Sequence, residues 1–104
     1  MMNRNRDKGH RWERKCMSLL KEVFPDVVTS RNESLTEDAN GVDLCNTGDY
    51  AFQCKAVKQM PVTKFFDHMR TKKSKVIFYK DTKHPTIQPE YAIVPLEDYI
   101  KLLK

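Results

Sequence analysis

The sequence predicts a single α/β domain in which one mixed five-stranded sheet is flanked by helices, in the order α-β-β-β-α-β-β-α. Three observations predict it. Apolar residues recur at helical spacing in three places: Trp12, Cys16, Leu19, Leu20 and Val23; Val62, Phe65, Phe66 and Met69; Leu96, Tyr99, Ile100 and Leu103. Short β-branched or aromatic runs fill the intervals, as strands require. The length, 104 residues, is enough for one modest core and too little for two.

Taken in order, residues 1–8 belong to the polar, basic opening MMNRNRDKGHR and read as a flexible arm, either solvated or in contact with DNA. Asp7 is a plausible N-cap for the first helix. That helix should stop near Phe24-Pro25, because a proline disfavours helical geometry in the residue before it. Val27 to Arg31 is short and β-branched and suits a strand, whereas Asn32 to Asn40 is polar and acidic and reads as a loop. A hairpin follows, with strands at Val42 to Asn46 and Tyr50 to Val57 around Thr47-Gly48-Asp49. Pro61 looks like the first-turn residue of the second helix. Thr71 to Lys75 is a basic connector, Val76 to Tyr79 and Tyr91 to Val94 are strands, and Leu96 to Leu103 is a closing helix.

Composition narrows the function classes. With 39% hydrophobic and 32% charged residues the chain is globular rather than disordered or collagen-like. The balance of 19 Lys and Arg against 14 Asp and Glu, a net +5, suits a polyanionic partner without specifying one. Cys16, Cys45 and Cys54 form no CxxC pair and no zinc spacing with His10, His68 or His84, which fits a reducing compartment. No apolar run approaches the roughly 20 residues of a membrane span. The basic start leads into an amphipathic segment rather than the apolar core of a signal peptide. The expectation is a soluble, intracellular, cytoplasmic protein.

The hairpin carries the chemistry. Side chains alternate across a strand, so a three-residue turn at Thr47-Gly48-Asp49 places Asn46 opposite Tyr50 and Asp43 opposite Gln53. One face then collects Asp43, Cys45, Gln53 and Lys55, and the other Val42, Leu44, Phe52, Cys54 and Ala56. A sheet with one solvated face would account for the polar set. A hard divalent cation would account for it too, since Mg²⁺ takes oxygen ligands anchored by one or two carboxylates. Asp43 can offer a carboxylate, Gln53 an amide oxygen and Cys54 its backbone carbonyl. Lys55 can hold a water and offset charge on a phosphate.

"GVDL" at residues 41–44, followed by "QCK" at 53–55, resembles the PD-(D/E)XK nuclease motif with Gln53 in place of the usual Glu. Upstream, Gly9-His-Arg-Trp-Glu-Arg14 resembles the Gly-x-x-x-Glu-Arg opening helix of archaeal-type Holliday-junction resolvases, and Arg31 falls after the first strand as an arginine does there. The resemblance covers roughly residues 6–60. It implies a restriction-endonuclease-like core, a Mg²⁺-dependent endonuclease acting on four-way junctions or other branched DNA, with Mn²⁺ a possible substitute, and a homodimer making paired nicks. It also implies that Glu13 is a second carboxylate near the metal, directly or through water. Helix geometry allows this, because Glu13 lies at the edge of the apolar stripe, although pairing with a nearby lysine or arginine would use the same position. A neutral amide at Gln53 binds Mg²⁺ more weakly than a carboxylate and shifts the burden onto Asp43. The compact, basic chain fits a phage or mobile element, acting then in the host cytoplasm in DNA recombination or repair. Candidate phosphate contacts are Arg4, Arg6, Lys8, Arg11, Arg31, Lys58, Lys72, Lys73 and Lys75. A nuclease for another DNA substrate, or a non-catalytic DNA-binding module on the same fold, would carry the same residues.

Overall fold

The computed structural model describes residues 4–104, with side chains from Asp7 onward. Met1 to Asn3 of the expected arm, and the side chains of Arg4, Asn5 and Arg6, lie outside that description. The elements are α1 (Arg4–Leu20), β1 (Val28–Thr29), α2 (Ser30–Glu33), α3 (Leu35–Ala39), β2 (Leu44–Cys45), β3 (Tyr50–Val57), α4 (Val62–His68), β4 (Ser74–Asp81), β5 (Glu90–Ile93) and α5 (Leu96–Leu103).

Helix α1 is already formed at Arg4, so residues 4–8 are helical rather than a flexible arm, and Asp7 sits inside the first turn instead of capping it. There its carboxylate complements the positive end of the helix dipole. The helix closes at Leu20, whose carbonyl accepts from Val23 N (2.9 Å) and Phe24 N (2.7 Å), short of the expected stop at Phe24-Pro25. The early closure narrows the apolar stripe: Trp12 and Cys16 are buried and Leu20 packs beside them, but Leu19 and Val23 are exposed, and Phe24 takes the core position.

The expected strand at Val27 to Arg31 shrinks to two residues, and Arg31 falls in α2. The expected loop at Asn32 to Asn40 is instead largely helical. Its organiser is Ser34, whose Oγ accepts from Glu37 N at 3.2 Å and caps α3.

The strands form two sheets rather than one of five strands. Antiparallel β1–β2 pairs Val28 with Cys45 and Thr29 with Leu44. In the other sheet, of order β3-β4-β5, β3 is parallel to β4 and β5 is antiparallel to β4. The chain between β2 and β3 is too bent to hold a ladder. Asn46 and Gly48 both take positive φ, +64° and +59°, and Asn46 Nδ2 donates to Asp26 O at 3.0 Å. Residues 42–43 approach β3 through a main-chain hydrogen bond, Asp43 N to Phe52 O at 2.8 Å, without joining the strand.

Helix α4 is the crossover between parallel β3 and β4, so it covers one face of that sheet while α1 covers the other. On the α1 face Trp12, Cys16, Val27, Leu44, Phe52, Cys54 and Val76 form a buried cluster, and Trp12 Nε1 donates to Phe78 O at 2.9 Å. On the α4 face Val42, Ala51, Met69 and Ile77 are buried, with Phe65, Phe66 and Tyr79 packed around them. Leu44, Phe52, Cys54 and Ala56 therefore share a face as the alternation predicts, but Val42 joins the opposite one. Gly41 explains the exception: at φ +78° it turns the chain, and a Cβ there would stand 2.7 Å from the His68 carbonyl oxygen. Only glycine lets this segment pass so close to the end of α4.

Candidate functional site

The site is built at the edge of β3 that faces away from β4. Asp43 reaches that edge and its Oδ2 accepts from Cys54 N at 2.7 Å. Since Phe52 O also bonds on that side, the main-chain groups of Phe52 and Cys54 face Asp43, while those of Gln53 face β4. The Cys54 carbonyl therefore points to the same edge as the Asp43 carboxylate.

Burial sets the electrostatics of Asp43. Desolvation pushes its carboxyl up from 3.8 to about 7. The Cys54 N–H and the Lys55 ammonium oppose that rise, while the negative charges of Glu13 and Asp38 add to it. Glu13 on α1, Asp38 on α3 and Lys55 on β3 are thus all within electrostatic reach of one carboxyl.

Glu13 does not stand free. Arg31 Nε donates to its Oε1 at 3.0 Å, and the Glu13 side chain is only 13% exposed. The arginine pairing open to Glu13 is made, and the carboxylate still acts on Asp43. Lys55 has its Nζ 4.8 Å from the centroid of the Phe65 ring, a cation–π contact that parks the amine under α4. Gln53 is buried, 3% exposed, and among the described residues its Oε1 has no hydrogen-bond partner. A sequestered amide oxygen of this kind costs about 1–3 kcal/mol unless something completes it.

Among the described residues no three His, Cys, Asp or Glu side chains converge as a metal-ligand set. A cation at this edge would therefore draw on amide and carbonyl oxygens beside the carboxylates. The unpartnered Gln53 Oε1, and an Asp43 carboxyl whose Oδ2 is engaged by Cys54 N, are donors of the right chemistry for a hard divalent ion.

Comparison with known proteins adds no guide: no family model, no curated protein and no solved structure matches the chain. No described helix is long and apolar enough to cross a membrane.

The candidate phosphate contacts scatter. Arg31 is spoken for by Glu13. Lys75 Nζ donates to Phe66 O at 2.9 Å and closes the end of α4. Arg11, Lys58, Lys72 and Lys73 are exposed, and Lys8 is half-buried on α1. Lys73 also borders a groove of about 400 Å³ lined by Glu33, Ser34, Glu37, Cys45 and Asn46. Cys45, one of those lining residues, has its Sγ 3.1 Å from the Oγ of the buried Ser30, so it serves the β1–β2 unit and not the Gln53–Lys55 face. Sequence reasoning missed Phe65 as the partner of Lys55. A strand–helix–parallel-strand order carries that information, because the crossover helix must lie over the first strand.

Proposed function

We propose that the chain is a metal-dependent endonuclease of the PD-(D/E)XK class, most like a Holliday-junction resolvase, that hydrolyses phosphodiester bonds in branched DNA. Two observations support it: the buried, unpartnered Oε1 of Gln53, and a carboxyl, Asp43, that is held by the N–H of Cys54, the residue after Gln53, and that burial raises to near neutrality. Both features are costly to the folded chain, and a divalent cation relieves both.

Asp43 and Gln53, with the Cys54 carbonyl, are the groups that would hold Mg²⁺ or Mn²⁺. Such an ion, when bound, supplies Lewis-acid polarisation of a phosphate oxygen and a more acidic water. The residues do the rest. Cys54 N–H fixes the Asp43 carboxylate through Oδ2. Lys55 brings positive charge to the phosphate as negative charge grows there, and the Phe65 ring limits where its amine can go. Arg31 holds Glu13 in place, where the Glu13 charge adds to the burial that raises the Asp43 carboxyl and so favours a cation beside it. In the overall reaction a water oxygen bonds to phosphorus, the P–O bond to the departing sugar oxygen breaks, and the water proton ends on that oxygen.

The test is nicking of a synthetic four-way junction and of its separate duplex arms, with Mg²⁺, Mn²⁺ or chelator. Metal-dependent nicking of the junction by the wild type, lost in Asp43→Ala and in Lys55→Ala, is the expected result. Equal cleavage of the duplex arms would redirect the proposal to another DNA substrate. Full activity in Asp43→Ala would end it.

A second reading has its own support. Glu13 is engaged by Arg31, and position 53 carries an amide, so a non-catalytic DNA-binding module on the same scaffold accounts for the charge and the glutamine together. It requires junction binding that is indifferent to chelator, and no nicking with either metal.

A further inference from the structure

Helix α5 is amphipathic, and among the described residues none buries its apolar side. None of its residues is buried, and Leu96, Tyr99, Ile100, Leu102 and Leu103 are between 43% and 75% exposed. An eight-residue helix is not stable in water on its own propensity, so the apolar arc needs a cover.

The charges around that arc say which cover fits. At 3.6 residues per turn, Tyr99, Leu103, Leu96 and Ile100 are neighbours around the helix, with Leu102 extending the arc on one side. Along the other side lie Glu97, in the first turn, and Lys104, at the C-cap. A two-fold axis that sets two such helices antiparallel brings these matching sides together. Glu97 of each copy then faces Lys104 of the other, and the helix dipoles oppose. A parallel arrangement instead sets the acidic first turns, Glu97 and Asp98, against each other. The pattern is self-complementary in one orientation only. The outer edge of β5, last in the sheet order β3-β4-β5, adjoins this helix through Val94-Pro95 and exposes Tyr91.

We propose that α5 is a self-association surface that packs antiparallel on α5 of a second copy of this chain. The inference stands on exposure and charge and does not depend on the nuclease reading. An eight-residue helix is only about 12 Å long, short of the roughly 800 Å² per partner of a standard interface, so the pair forms in a concentration-dependent way and draws on the β5 edge for the remaining area.

Sedimentation velocity of the full chain over a range of concentrations tests it, with circular dichroism to verify folding. The wild type should pass from monomer to dimer, and Leu103→Asp should remain monomeric with an unchanged spectrum. Glu97→Lys alone and Lys104→Glu alone should each weaken the dimer by roughly tenfold, and the two together should restore it. A wild type that stays monomeric at every concentration, including one whose α5 is covered by a different protein in the cell, overturns the proposal. So does a double reversal no better than either single change. Because the readout is mass, it can fail while metal-dependent nicking is found, and succeed where nicking is absent.

Discussion

At the scale of single residues, the site stores a conflict between folding and function. Asp43 has a folded-state pKa of about 7 against an unfolded value near 3.8, so between these values the native chain binds more protons than the unfolded one. The stability contributed by the neutral carboxyl is complete below about 3.8 and is lost as pH rises through about 7. Metal-free wild type should therefore lose ground against Asp43→Asn between pH 5 and pH 8, by on the order of 2 kcal/mol in urea unfolding. An unchanged difference between the two proteins at those pH values would show that Asp43 is not the titrating group. Gln53 makes the complementary case. Gln53→Met removes an unsatisfied buried oxygen at similar volume, so it should be neutral or stabilising by about 1 kcal/mol while abolishing metal-dependent nicking. A loss of more than about 1 kcal/mol in the same unfolding experiment would assign the amide a structural role instead.

At the scale of elements, α1 is fastened to the sheet by an indole. Trp12→Phe keeps an aromatic ring but removes the indole N–H that donates to Phe78 O, along with part of the buried ring system, and should cost about 1–3 kcal/mol by chemical denaturation. If stability is unchanged, water has replaced the bond. The elements also show where the sequence was legible. Strand β3 and helix α5 fall at the predicted boundaries because each is bounded by turn residues and keeps one period throughout. The α2–α3 segment was missed because its polarity outweighed a local cue, a serine three residues before a glutamate, that marks a capped helix. Leu44, Phe52 and Cys54 were assignable to one face by alternation, but Val42 was not. Its side is decided by a left-handed glycine against the distant His68 carbonyl, and alternation carries no information about that contact. In the site, the residue types and the strand edge could be read in advance. The Glu13–Arg31 pair was legible only as an open alternative, and the Lys55–Phe65 contact only as a crossover helix lying over β3, because the partner in each case depends on which layer α2 and α4 occupy.

At the scale of the whole molecule, the net charge of +5 predicts salt-labile binding to polyanions. Exposed Lys72 and Lys73 are the basic pair to test. Replacing both with alanine should reduce the slope of log affinity against log salt by up to about 1.8 for duplex DNA, measured by fluorescence anisotropy. An unaltered slope would place the DNA elsewhere. One feature of the core reaches further than its packing. Cys16 of α1 and Cys54 of β3 are buried together, and their mutual hydrogen bond, with burial, holds the Cys54 thiol well above its ordinary range. Neither thiol is positioned to react with an alkylating reagent while α1 lies on the sheet, whereas Cys45 is less deeply buried. The chain thus carries its own chemical clock. The lag between the labelling of Cys45 and of the buried pair times how often the first helix lifts away, and any ligand that clamps the β3 edge should slow that clock without touching sulfur.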